Sequence, residues 1–71
     1  MEDDMKNRLT ELRTSAGMTQ VQLAEKVGLK QPNIARLENG DRKITGITML
    51  TGYRIAKALN CRMEDLLEKV Q

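Results

Sequence analysis

The sequence predicts an all-α, compact five-helix domain, and three observations predict it. Apolar residues recur at steps of three and four along most of the chain. Glycines fall where the early runs stop, as helix ends require. No stretch alternates apolar and polar residues as a half-buried strand does. At 71 residues the chain is shorter than one typical domain, so residues 1–71 are expected to share one small core.

Met5, Leu9, Leu12 and Ala16 line one face of a first helix, behind Asp3 and Asp4, which suit its positive N-terminal end. Gly17 closes it. Thr19 and Gln22 have capping-box spacing, and Leu23, Ala24 and Val27 form the apolar face of a second helix that Gly28 ends. Residues 30–39 make the third, with Pro32 in the first turn, where its missing N–H costs nothing. Ile34 and Leu37 turn inward, and Asn39 and Gly40 stop the helix. A polar link over residues 41–47 leads to Thr48, an N-cap for a fourth helix reaching about Leu59. Gly52, Ile55, Ala56 and Leu59 share its inner face, and the small Gly52 marks a close helix crossing. Met63, Leu66, Leu67 and Val70 give a fifth helix, with Glu64 and Asp65 in its favourable first turn.

Composition removes several functions. Histidine is absent and Cys61 is the sole cysteine, so one chain cannot assemble a Ser/His or Cys/His nucleophile pair or the common zinc sites. No enzyme, metal, cofactor or small-molecule ligand is expected. Cys61 reads as a small buried hydrophobe, and a lone thiol without an export signal points to the cytoplasm. No apolar run approaches the ~20 residues that span a bilayer, so no membrane partner is expected. A chain this short buries only ~60% of its unfolded surface, which makes a second copy worth considering for stability alone.

The net charge is only +2, but its distribution is uneven. Glu2, Asp3 and Asp4 make the start acidic. Residues 5–43 carry eight basic and four acidic side chains, and residues 44–71 carry four and three. The positive charge is concentrated in the first two thirds, as a face meeting a polyanion requires.

The most informative stretch is residues 20–37, "QVQLAEKVGLKQPNIARL". Two helices crossing at ~90 to 120° through a short turn need a small residue at the crossing, here Ala24, and a residue tolerant of positive φ in the turn, here Gly28. Leu23, Val27, Leu29, Ile34 and Leu37 fill the wedge between them. This is a helix-turn-helix, spanning about residues 20–39. With "GMTQVQLAEKVGL", "IARLENG" and "IAKALN" in register, the chain resembles the phage lambda repressor and Cro family of transcriptional regulators from about Leu9 to Leu67. The link from Gly40 to Ile55 is longer than in the compact members of that family.

The resemblance implies a lambda-repressor-like fold whose third helix enters the DNA major groove. Lys30, Gln31, Asn33 and Arg36 match the base-contacting positions. Arginine can bridge guanine O6 and N7, and Gln or Asn can bridge adenine N6 and N7. Pro32 offers only van der Waals contact. Gln20, at the N-terminus of the second helix, matches a phosphate-holding position, and Arg13, Asn39, Arg42 and Lys43 are further phosphate contacts. Arg13 and Glu38 match a structural ion pair that ties the first helix to the third. Tyr53 is the only aromatic residue, so base stacking on single strands is poorly served and double-stranded DNA is the better partner.

The function expected is therefore a cytoplasmic, sequence-specific regulator, a repressor binding a palindromic operator as a dimer. One short helix specifies few base pairs, and two copies on a palindrome double the reading. Leu66, Leu67 and Val70 are the interface candidates. The alternative is an antitoxin-like or adaptor protein that acts mainly by binding a partner protein.

Overall fold

A computed structural model describes residues 7–67. It contains α1 (Leu9–Ser15), α2 (Gln20–Val27), α3 (Gln31–Asn39) and α4 (Met49–Leu59), with short 3-10 turns at Ile44–Gly46 and Met63–Leu66. Four α-helices are thus present among the described residues where five were expected.

The fifth is replaced by the turn at Met63–Leu66, and the reason is a competing backbone pairing. Leu67 is extended (φ −96°, ψ 149°) and forms an isolated antiparallel bridge with Asn7, while Arg8 N–H donates to the Leu66 carbonyl at 2.8 Å. Those bonds end the helical run where the apolar spacing alone would continue it. The same pairing shortens the first helix. Asn7 lies in the bridge, and its Oδ1 accepts the Leu9 N–H at 3.0 Å, so the helix starts at Leu9 and not near Met5. Met5 and Val70 lie outside the described residues.

The two central helices form for local reasons legible in their ends. Thr19 Oγ1 accepts from Gln22 N–H at 3.0 Å, and Gln22 Oε1 accepts from Thr19 N–H at 2.8 Å, a reciprocal cap. Gly28 takes φ +76°, which lets Leu29 N–H reach the Ala24 carbonyl and turns the chain into α3. Gly28→Ala is expected to cost about 1 to 2 kcal/mol, the left-handed penalty of a Cβ, read as a lower midpoint in thermal unfolding. Helix α4 starts on the Thr48 hydroxyl, which accepts from Thr51 N–H at 3.1 Å, and ends on Asn60 at φ 57°.

Leu9, Leu23, Ile34, Leu37 and Ile55 are fully buried, one or two from each of the four helices. Each contributes roughly 1.5 to 3 kcal/mol of apolar burial. Val27, Ile44, Leu59 and Leu66 complete the cluster. Gly52 is buried, and what comes close to it among the described residues is the 3-10 turn at Met63–Leu66 and the segment before α4, not another α-helix. A Cβ at this position would stand 2.9 Å from Met63 Cε and 3.7 Å from Ile47 Cδ1, so the space is taken by two side chains from the adjoining segments.

Candidate nucleic-acid interface

Helix α3 has two unlike sides. Ile34 and Leu37 are locked in the core, and this rotation sends Lys30, Pro32 and Arg36 to solvent, with Gln31 and Asn33 half-buried beside them. Lys30 is the N-cap residue, with extended backbone. Arg36 Nη1 donates to Asn33 Oδ1 at 3.3 Å, one turn apart on the outer face, so the two side chains are held as a unit.

Beyond α3 the chain stays close to the helix end. Gly40 takes φ +87°, and Arg42 N–H donates back to the Arg36 carbonyl at 3.1 Å. Asn39 Oδ1 accepts the Asp41 N–H at 2.8 Å, so Asn39 shapes this turn while its amide N–H groups stay able to donate to a ligand. Arg42 and Lys43 are exposed on the same loop. The outer side of α3 and the loop after it therefore carry four cations, Lys30, Arg36, Arg42 and Lys43, against the single exposed acid Asp41.

Behind this face lies a polar network. Arg13 and Glu38 form an ion pair, with Arg13 Nε donating to Glu38 Oε2 and Nη2 to Oε1 at 3.2 Å. Their side chains are only 12% and 7% exposed. Arg13 Nη1 also donates to the Met18 carbonyl at 2.7 Å, fixing the turn between α1 and α2. Burial pushes the Glu38 carboxyl up, but hydrogen bonds from Arg13, Gln20 and Thr10, with the Arg13 charge, outweigh it and hold the group below the usual carboxylate value.

Gln20 sits inside this network. Its Nε2 donates to Glu38 Oε1 at 2.9 Å, and its Oε1 accepts from Gln31 Nε2 at 2.7 Å. A phosphate at the start of α2 would meet only the second N–H of this amide and the backbone N–H groups of the first turn. The family resemblance implied the Arg13 and Glu38 pair, whereas nothing in the spacing of residues 20, 31 and 38 announces the contacts that Gln20 makes with Glu38 and Gln31. The available signal was chemical: Arg13, Gln20 and Glu38 are polar residues on the sides of their helices that lean towards the core.

The rest of the expected site is divided. Leu66 is 3% exposed and belongs to the core, because the turn that carries it folds inward, and Leu67 packs against the same core. Large apolar side chains do stand exposed elsewhere: Met49 at 79%, Leu50 at 56% and Tyr53 at 52% on α4, and Met63 at 38% beside them. Tyr53 carries the Lys57 ammonium over its ring, 5.8 Å from the centroid. Cys61 is half-buried against the core, and burial and the nearby Asp65 push its thiol up, away from reactivity. No helix among the described residues is long and apolar enough to cross a membrane.

This arrangement has counterparts. A family model for helix-turn-helix domains matches residues 9–66. An uncharacterized HTH-type transcriptional regulator of Archaeoglobus fulgidus is 40% identical over 62 residues, covering 87% of this chain and 84% of that protein. The HTH-type regulator YgzD of Bacillus subtilis is 37% identical over the same length, covering 87% and 89%. Among solved structures, the restriction-modification controller protein C.AhdI from Aeromonas hydrophila superposes with a TM-score of 0.72 at 31% identity, over 82% of this chain and 83% of that one. With the capped α2, the left-handed turn at Gly28 and the polar outer side of α3, these matches place the chain in the lambda repressor and Cro type of helix-turn-helix family, whose members are DNA-binding transcriptional regulators.

Proposed function

We propose that this protein is a sequence-specific repressor that binds a palindromic operator as a dimer, acts without catalysis and works in the cytoplasm. The observation that carries the reading is the outer side of α3. Lys30, Gln31, Asn33 and Arg36 face outward from a helix whose other side is fixed by Ile34 and Leu37, and Arg42 and Lys43 flank it. Side chains held this way reach base edges, while the loop cations and the start of α2 grip phosphate.

A repressor needs no more than occupancy of its site. Two copies are favoured because a single α3 covers few base pairs. Exposed Met49, Leu50, Tyr53 and Met63 supply apolar surface for a self-complementary contact in place of the buried Leu66. The same surface would suit the antitoxin-like or adaptor alternative, in which it holds an unrelated protein.

Selection of bound duplexes from a random library, followed by titration of the recovered site, tests the reading. A palindrome bound by two chains is the expected result. Arg36→Ala should weaken binding to that site by about 1 to 3 kcal/mol and flatten preference at one base position. Equal weakening on every sequence would remove Arg36 from base reading. One chain per site, with no gain from the second half, would remove the dimer, and co-purification with a stoichiometric partner protein would favour the alternative.

A further inference from the structure

We infer that Asn7 is a positioning residue for DNA contact: bound to the Leu37 carbonyl, it fixes the path of the loop after α3 and so places Arg42 for a backbone phosphate. This rests on the reading of that loop as a phosphate grip.

The two ends of the Asn7 amide are assigned by their partners. Its Oδ1 accepts the Leu9 N–H at 3.0 Å, and its Nδ2 donates to the Leu37 carbonyl at 3.1 Å. A backbone N–H can only donate and a backbone carbonyl can only accept, which leaves this amide one orientation. Asn7 is also paired with Leu67, so the donor offered to α3 is held by the start of α1 on one side and by the bridge on the other.

The carbonyl it occupies is one that the end of α3 would otherwise close on itself. A helix leaves its last four carbonyls without intrahelical partners. Where a left-handed glycine follows, as Gly40 does at φ +87°, the common closure returns the next two N–H groups, Gly40 to Leu37 and Asp41 to Arg36. Here other donors meet both carbonyls. Asn7 Nδ2 meets Leu37, and Arg42 N–H meets Arg36 at 3.1 Å, one residue later than in the common closure. Asp41 N–H is drawn off by Asn39 Oδ1 at 2.8 Å. The loop therefore leaves the helix by a wider turn, and that turn sets the Arg42 backbone against α3. Without Asn7 the Leu37 carbonyl is open to the Gly40 N–H, the closure tightens by one residue, and Arg42 moves by up to one residue spacing, about 3.8 Å. A guanidinium displaced that far loses a phosphate oxygen it met at hydrogen-bond distance.

Salt dependence tests this, because each phosphate contact contributes about −0.9 to the slope of log K against log[salt]. Dissociation constants for a duplex selected with the full chain are measured between about 50 and 200 mM salt for wild type, Asn7→Ser, Arg42→Gln and the double variant, well below each melting temperature. Serine keeps an oxygen for the Leu9 N–H but is too short to reach Leu37, so the start of α1 is spared. The slope of Asn7→Ser should be shallower by about one, so that over this range it loses about 3.5-fold less affinity than wild type does. The double variant should have the slope of Arg42→Gln alone, since both changes remove one contact. Ratios among the bases preferred by α3 should be unchanged. A merely structural role for Asn7 would lower the melting temperature and leave the slope where it was.

Should Asn7→Ser fail to fold, Asn7→Thr takes its place, because its branched side chain suits the bridge with Leu67 and keeps the hydroxyl. A wild-type slope in the folded variant overturns the inference, as does a double variant whose slope changes by the sum of the single changes, or an Arg42→Gln slope equal to that of wild type. Each of these leaves the DNA-reading function standing. A wild-type chain with no sequence preference at all defeats that function, and the inference falls with it.

Discussion

Glu38→Ala should lower the stability of the fold by about 3 kcal/mol, because it leaves the Arg13 guanidinium buried without its counter-charge. Arg13 and Glu38 are 12% and 7% exposed, too enclosed for water to replace the missing partner. For a domain of this size the loss corresponds to a fall in melting temperature of about 15 °C. Arg13 also holds the Met18 carbonyl, and Glu38 also holds Gln20, so both the turn between α1 and α2 and the packing of α1 on α3 should loosen together.

The pH dependence has a definite sign. The Glu38 carboxyl is lower in the folded chain than in the unfolded one, so its contribution is fully present above the ordinary carboxylate range, near pH 4.5, and fades as pH falls through the lower folded value. Thermal unfolding followed by circular dichroism should therefore show the gap between wild type and Glu38→Ala narrowing on acidification. A gap independent of pH would mean that the charge of Glu38 is not what stabilises the fold.

Ile34→Ala is the second large effect, expected to cost about 2 to 5 kcal/mol. Ile34 is fully buried where α3 meets the core, and truncation leaves a cavity that the packed neighbours fill only in part. Its neighbours in sequence, Asn33 and Ala35, are half-buried, and Arg36 is exposed, so the loss falls on packing and not on the outer row. Denaturant unfolding should show the reduced midpoint with an unchanged slope. DNA titration well below the lowered melting temperature should show the wild-type order of base preferences. A changed order would mean that Ile34 sets the rotation of α3 as well as its stability.

What the sequence revealed of this fold was strongest where cause and effect are local. Thr19 with Gln22, Gly28, Pro32 and Gly40 each act within one turn of themselves, and α2, the turn and α3 lie where these residues require. The inward pair Ile34 and Leu37 then leaves little choice about which side of α3 is exposed. Where distant segments compete, the local pattern no longer decides the structure. The spacing of Met63, Leu66 and Leu67 is helical, yet the Asn7 and Leu67 pairing lies 60 residues apart in sequence and no local pattern reports it. The outward turn of Met49 and Leu50 was hidden for a related reason: α4 shows apolar residues on more than one face, and only tertiary packing decides which is covered. Gln20 matched a phosphate position, but its bonds to Glu38 and Gln31 bring together three segments, a juxtaposition the helix-turn-helix spacing leaves open.

The clasp between Asn7 and Leu67 also decides how the domain can be joined to anything else. Asn7 Nδ2 donates to the Leu37 carbonyl at 3.1 Å near the end of α3, and Arg8 N–H donates to the Leu66 carbonyl, so the segments at residues 7–8 and 66–67 are pinned side by side, the first of them also tied to α3. The body between them is in effect a closed loop with a single stem. Such a unit can be spliced into a surface loop of a host protein without prising its helices apart, because the host's own chain needs to be interrupted at only one point.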